Sequence, residues 1–210
     1  MPRIMARTKS SSEWLRRHVN DPFVKQAQRD GYRSRSAYKL TELNEKDRLI
    51  RPGMRIMDLG SAPGGWSQVA GKLVGAKGRV LATDILPMDP IKNVDFIQGD
   101  FNDEAIVAQL LEWLGGEKFD LIISDIAPNI TGIDSADQAS SMNFLDLALD
   151  TVRQTLKPGA NFVAKMFQGS GSDQYVKDLR ASFEKVVIRK PAASRAQSRE
   201  VYIVAKGFKG

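Results

Sequence analysis

From residue 54 to residue 205 the chain alternates between short apolar runs and longer amphipathic stretches, and this alternation limits the folds open to it. Met54–Leu59, Arg79–Thr83, Val94–Ile97, Phe119–Ser124, Asn161–Phe167, Lys185–Arg189 and Val201–Ala205 are strand-like. Gly65–Val74, Asp103–Leu114, Asp137–Leu156 and Asp173–Phe183 carry helical periodicity. Strands that are apolar at nearly every position are buried on both faces, and helices threaded between them supply the cover. The expectation is one α/β domain built on a mostly parallel seven-stranded sheet with helices on both faces. The last two runs are joined without an intervening helix, so that pair is predicted to be antiparallel. No repeat or linker divides residues 13–210.

Upstream of the alternation the chain changes character. Residues 1–12 are polar and basic and read as a disordered tail. Trp14, Leu15, Val19, Phe23 and Val24 recur at near-helical spacing between Glu13 and Arg29, with Pro22 breaking or restarting the helix. A second helix is predicted over Ser36–Arg48, presenting Ala37, Leu40 and Leu43 on one face. Residues 13–50 thus form a helical extension of the domain.

Composition removes whole classes of chemistry. The chain has no cysteine, which excludes disulfides, thiolate metal sites and a thiolate nucleophile. Its one histidine, His18, lies in the basic N-terminal stretch and reads as a surface residue. A base, if one is needed, must be a lysine or a carboxylate. No apolar run approaches the roughly 18 residues of a membrane span, and no apolar signal segment is visible, so a cytoplasmic protein is expected.

Charge is unevenly distributed. Residues 1–39 carry ten Lys and Arg against three acids, residues 40–176 twelve against nineteen, and residues 177–210 nine against three. Charge runs are commonly solvated faces. Here two basic ends flank an acidic middle and include spaced arginines, which favours a polyanionic partner such as RNA. Arg33, Arg35, Arg195 and Arg199 are the expected phosphate contacts.

The most informative segment is Met57-Asp58-Leu59-Gly60-Ser61-Ala62-Pro63-Gly64-Gly65-Trp66-Ser67-Gln68. A strand ends at Asp58, a glycine-rich turn follows and a helix begins. In open α/β sheets ligands bind at such carboxyl ends. The loop lacks the G-x-G-x-x-G spacing of a dinucleotide site, and the acid beside it repels pyrophosphate and attracts a cation. S-adenosylmethionine, with an ammonium and a sulfonium, fits better than NAD. Asp84, at the end of the next strand, is placed to accept ribose hydroxyls. Asp100, one strand further on, is placed to accept from the adenine amino group.

DLGSAPGGWSQ, SDIAPN, FVAKMFQG and SREVYIVA, in this order, resemble the FtsJ family of ribose 2′-O-methyltransferases, and most closely its bacterial members acting on 23S ribosomal RNA. The resemblance runs from about Trp14 to Ala205. It implies a Rossmann-like methyltransferase sheet whose last strand is inserted antiparallel, with Gly64 and Trp66 in cofactor binding and Asp125 bordering the cofactor. Methyl transfer to a uridine ribose of the A-loop in the large ribosomal subunit, aiding ribosome maturation, is the implied activity.

Lys165 is a charge inside the apolar strand Asn161–Phe167. It could snorkel from a strand end or sit in a structural ion pair. Asp125 closes the neighbouring parallel strand and could lie beside it. The resemblance adds Lys39 and Glu200 as the other members of a Lys-Asp-Lys-Glu tetrad. It implies Lys165 as proton acceptor, Lys39 and Asp125 as orienting groups and Glu200 as their support. A free lysine has a pKa of about 10.4; burial and a second cation lower such a value while carboxylates raise it, and sequence leaves the sum open.

Two other readings compete. A nucleobase methyltransferase would ordinarily carry a cysteine nucleophile or a [DN]-P-P-[YF] motif, and Asp125-Ile126-Ala127-Pro128 is not one. A ribosome-assembly RNA-binding factor whose methylation is secondary would need the same basic ends. Nothing in the sequence demands more than a monomer or a metal.

Overall fold

The structure, a computed structural model, describes residues 21–127 and 134–210. His18, the tail 1–12, the first part of the Glu13–Arg29 helix, and Pro128 and Asn129 of the SDIAPN motif lie outside the described residues.

Helix α1 (Pro22–Asp30) starts at the proline. A helix leaves its first N–H without a partner in any case, so proline is well suited to that position. Asp21 caps the turn by accepting from the Phe23 amide at 3.0 Å. Pro22 therefore restarts a helix. Helix α2 (Ala37–Asp47) follows, burying Ala37, Leu40 and Leu43 as its periodicity predicts.

The alternating segments become β1 (Arg55–Leu59), α3 (Gly65–Val74), β2 (Arg79–Asp84), β3 (Val94–Gln98), α4 (Glu104–Leu114), β4 (Phe119–Ser124), α5 (Asp134–Thr155), β5 (Leu156–Phe167), α6 (Ser172–Ser182), β6 (Phe183–Arg189) and β7 (Glu200–Phe208). They form one sheet in the order β3-β2-β1-β4-β5-β7-β6. Pairing from β3 through β5 is parallel. β7 runs antiparallel to both β5 and β6. This is the expected Rossmann-like sheet with one strand inserted in reverse.

Strand alternation divides the core between the two faces. Met57, Leu59, Ile122, Phe162 and Ile203 belong to one buried cluster with residues of α4, α5 and α6. Ile56, Leu121, Ile123, Val163 and Val204 belong to the other with α2 and α3. β5 begins five residues earlier than the apolar run suggests. Leu156 pairs with Phe119, and the ladder then resumes only at Asn161, so Lys157–Ala160 bulge out of it. Pro158 has no N–H and Gly159 has φ 79°, which suits them to that excursion.

The helical extension is fastened to the far edge of the sheet by Asp47, a buried carboxylate at the end of α2. It accepts from Arg189 Nε at 2.9 Å and Nη2 at 3.1 Å and lies 3.3 Å from Lys206 Nζ. Burial alone would raise its pKa, but the two cations hold it below the usual carboxylate range. Breaking a buried pair commonly costs about 3–5 kcal/mol, and the partial exposure of both cations brings our expectation for Asp47→Ala to about 2 kcal/mol at pH 7. A depressed folded pKa contributes stability that is complete above the unfolded value of about 3.9 and is lost as pH falls through the folded value. Urea denaturation should therefore show the Asp47→Ala deficit at pH 7 shrinking in strong acid. An equal deficit at both pH values would show that packing, not charge, is lost.

Candidate active site

The loops leaving β1 and β4 and the ends of β2 and β3 enclose a cleft of about 370 Å³. Gly60, Ala62, Asp84, Asp100 and Asp125 supply its polar wall, and Ile85, Leu86, Phe101, Ile126 and Phe144 its apolar one. A smaller recess of about 220 Å³ shares Gly60, Ala62 and Asp125 with the cleft and continues to Ser34, Ser36, Asp58 and Trp66.

Both expected cofactor acids at strand ends reach the cleft. Asp84 also holds its own surroundings, accepting from the Ala62 amide at 2.8 Å and the Leu86 amide at 2.9 Å. Asp100 accepts from the backbone and side chain of Asn102 at 3.0 and 2.8 Å. The apolar wall was not singled out from sequence. Its one local signal was the apolar pair Ile85-Leu86 directly after an acid at a strand end; these side chains are 64% and 58% exposed.

Asp58 is buried behind the loop. Its Oδ2 accepts from Ser67 Oγ at 2.6 Å, while Oδ1 has no partner among the described residues. Burial, together with the charges of Asp125 and Asp84, pushes its pKa up to about 7, against the pull of Ser67. An unpaired carboxylate oxygen, three further acids and an apolar wall suit a ligand with a cationic end and a neutral heterocycle. S-adenosylmethionine has both, and pyrophosphate would meet only like charge.

The two loop residues carried over from the resemblance fare differently. Trp66 lines the recess, and it is also a core anchor: its indole N–H donates to the Ser36 carbonyl at 2.9 Å, and its ring lies 5.6 Å from that of Tyr202. Gly64 lines neither cavity. It precedes α3 with φ 107°, and a Cβ there would sit 2.6 Å from Ile91 Cδ1 and 3.1 Å from Arg33 Nη1. The turn thus requires a glycine at this position, and Gly60 faces both cavities.

The four tetrad residues meet at the carboxyl edge of the sheet. Lys165 Nζ donates to the Asp125 carbonyl at 2.6 Å and lies 3.1 Å from its Oδ1. Lys39 Nζ donates to Glu200 Oε1 at 2.6 Å. Tyr202, unmarked in the sequence reading, joins the two pairs: its hydroxyl lies 2.5 Å from Asp125 Oδ1 and 3.2 Å from Glu200 Oε1. Ser194 Oγ adds a bond to Glu200 Oε1 at 2.9 Å. Burial would raise the Glu200 pKa, but Lys39 foremost, then Lys165 and Ser194, hold it below the usual range. Burial and the two carboxylates push Tyr202 well above its ordinary value, which keeps the hydroxyl a donor. The missed signal was its position two residues after Glu200, which on a strand means the same face.

The arginines expected to contact phosphate divide into two kinds. Arg33 spends its guanidinium on three carbonyls, Pro63 at 3.2 Å, Asp89 at 2.7 Å and Pro90 at 2.9 Å. Arg35 pairs with Asp21 and donates to the Ala193 carbonyl, with its side chain only 15% exposed. Both arginines therefore clamp the fold from within, Arg33 at a partly exposed position and Arg35 at a largely enclosed one. Arg195 and Arg199 keep 44% and 54% of their side chains exposed. Since Arg33 grips the loop carbonyl of Pro63, we expect Arg33→Ala to weaken S-adenosylmethionine binding, by about tenfold for the loss of roughly one charged hydrogen bond. Calorimetry should register the change, and an unaltered Kd would mean that the loop holds itself.

Among the described residues no helix is long and apolar enough to cross a membrane, and no acid or histidine cluster could hold a metal ion. The pattern of FtsJ-like methyltransferases matches residues 32–208. A relative from Stutzerimonas stutzeri (strain A1501), named ribosomal RNA large subunit methyltransferase E, is 70% identical over 98% of this chain and 100% of its own length. One of the same name from Marinobacter nauticus is 65% identical over 98% and 99%. The crystal structure of a ribosomal RNA methyltransferase from Plasmodium falciparum superposes with a TM-score of 0.77 at 32% identity, covering 85% of this chain and all of its own. With an acid-lined cleft at the head of a sheet that carries one reversed strand, and with relatives this similar end to end, the chain belongs to the FtsJ-like methyltransferase family.

Proposed function

We propose that this chain transfers a methyl group from S-adenosylmethionine to the 2′-hydroxyl of a ribose in 23S ribosomal RNA, on a uridine of the A-loop in the large subunit. The observation that carries the reading is the joining of two lysines and two carboxylates through the Tyr202 hydroxyl, next to the cofactor cleft and without a cysteine. Relatives named for large-subunit ribosomal RNA supply the substrate class. The protein works in the cytoplasm as a monomer.

Bound S-adenosylmethionine supplies an electrophilic methyl on a sulfonium, open to in-line displacement. The residues must align one hydroxyl and take its proton. Lys165 Nζ receives the proton; a neutral amine at this point still donates to the Asp125 carbonyl and offers its lone pair to the hydroxyl. An ammonium has three donors and Glu200 takes one from Lys39, leaving others to orient the hydroxyl oxygen and stabilise charge growing on it. Asp125 and Glu200 hold the two amines apart and in place. Arg195 and Arg199, exposed beside the tetrad, contact the RNA backbone, so affinity falls steeply with salt.

Lys165→Ala should lower the single-turnover rate by about 10²–10⁴-fold with cofactor affinity near wild type. A loss under about tenfold would make Lys165 a structural lysine.

The product distinguishes ribose from base. Large subunits from cells lacking the protein are incubated with enzyme and labelled cofactor, and the RNA is digested in alkali. A methylated 2′-oxygen cannot attack its neighbouring phosphate, so the label is expected in an alkali-stable dinucleotide. Label on a free base would end the reading.

A further inference from the structure

Between the two lysine–carboxylate pairs stands a group that stays neutral at ordinary pH, the Tyr202 hydroxyl. It has one proton and two carboxylate oxygens in reach, Asp125 Oδ1 at 2.5 Å and Glu200 Oε1 at 3.2 Å. The shorter distance gives that proton to Asp125. The sheet enforces the arrangement, because Tyr202 on β7 lies opposite Lys165 on β5. The ring is held independently of its hydroxyl. Its centroid lies 5.6 Å from that of Trp66, and Lys39 Nζ sits over it at 5.4 Å.

The two carboxylates differ in what else supports them. Glu200 Oε1 also accepts from Lys39 at 2.6 Å and from Ser194 at 2.9 Å. Among the described residues Asp125 Oδ1 has the Tyr202 hydroxyl and, 3.1 Å away, Lys165. Lys165 Nζ takes the Asp125 main-chain carbonyl as its nearer acceptor, at 2.6 Å. A short bond from a neutral donor draws charge off a carboxylate oxygen and occupies its lone pairs. Asp125 is therefore a weakened counter-ion for Lys165. A proton acceptor has to be available as a neutral amine, and an undiluted carboxylate at this distance would hold it as an ammonium.

The geometry points to Tyr202 as a positioning residue for the proton transfer: its hydroxyl holds the Asp125 carboxylate back from Lys165, leaving the amine able to take the ribose proton. This inference rests on the reading of Lys165 as proton acceptor. Other charges face the same cluster. Glu200 on β7 and Lys39 on α2 lie across Tyr202. Asp58 on β1 is buried nearby, its pKa pushed up to about 7 by burial and then by the charges of Asp125 and Asp84. Removing the hydroxyl strengthens Asp125 and Glu200 alike as counter-ions, so both changes favour the ammonium. Lys39 opposes them equally with or without the hydroxyl.

Tyr202→Phe deletes the hydroxyl and keeps the ring. Single-turnover rates are measured from weakly acidic to moderately alkaline pH, on large subunits from cells lacking the protein. Saturating S-adenosylmethionine removes the Asp58 titration from these rates, and that titration is read separately in cofactor affinity. In wild type the rate should rise with pH as the amine loses its proton, then level. In Tyr202→Phe the rise should lie about one pH unit higher, a loss of about tenfold below the rise that closes above it. A residue with a merely structural role would lower the rate by one factor at every pH. A ring-fluorinated tyrosine placed at position 202, a stronger donor of nearly the same shape, should move the rise to lower pH. That protein carries the test alone if thermal melts show Tyr202→Phe to be unfolded. A rise at the wild-type pH in the altered proteins overturns the Tyr202 role, provided Lys165→Ala still loses the expected rate. A loss under about tenfold in Lys165→Ala overturns the proton-acceptor reading and the Tyr202 role with it.

Discussion

Between β1 and β4 the sheet reverses its direction of growth, so the loops leaving these two neighbouring strands part toward opposite faces. That parting opens a crevice at the carboxyl ends, which is where open α/β sheets bind their ligands. Asp58 and the glycine loop come from one side of the reversal and Asp125 from the other, and both cavities at the site include Asp125. The helical extension matters because it closes this crevice from above. Arg33 fixes the loop, Ser36 receives the Trp66 indole and Lys39 completes the tetrad.

Electrostatically the site consists of acids that would repel one another if left unpaired. The structure manages them in different ways. Asp125 and Glu200 each face a lysine and share the Tyr202 proton. Asp84 is spent on backbone amides. Asp58 is the exception, walled off and half-satisfied, and its raised pKa is the cost of that position. A cation brought into the crevice meets charge already concentrated for it.

Local patterns were readable in the sequence and distant partnerships were not. The loop from Asp58 to Gln68 announces itself because strand, turn and helix are contiguous there. Asp84 and Asp100 follow from strand ends alone. Lys39 and Glu200 are 161 residues apart, and only a family resemblance joined them before the fold did. Tyr202 looked like another core residue of an apolar strand; its hydroxyl matters because the β5–β7 register sets it opposite Lys165. Arg33 and Arg35 read as free cations because their acceptors are a carboxylate 14 residues upstream and carbonyls 30 to 158 residues downstream. The β5 excursion at Lys157–Ala160 carries a Pro-Gly pair, which marks a turn before a strand as readily as a bulge within one.

The reversed insertion of β7 bears on how the molecule comes into being. β5 and β6 are consecutive in the chain, run parallel and are joined by α6, yet they never pair; the space between them in the sheet is filled by residues 200–208. A nascent chain that has reached residue 199 can assemble the strands from β3 to β5 but leaves the open edge of β5 waiting in the middle of the finished sheet. Such an edge invites pairing with the wrong strand. The same late segment carries Glu200 and Tyr202, so the two carboxylates are not bridged until the gap is filled. Closing the sheet and bringing Glu200 and Tyr202 to the site are one event.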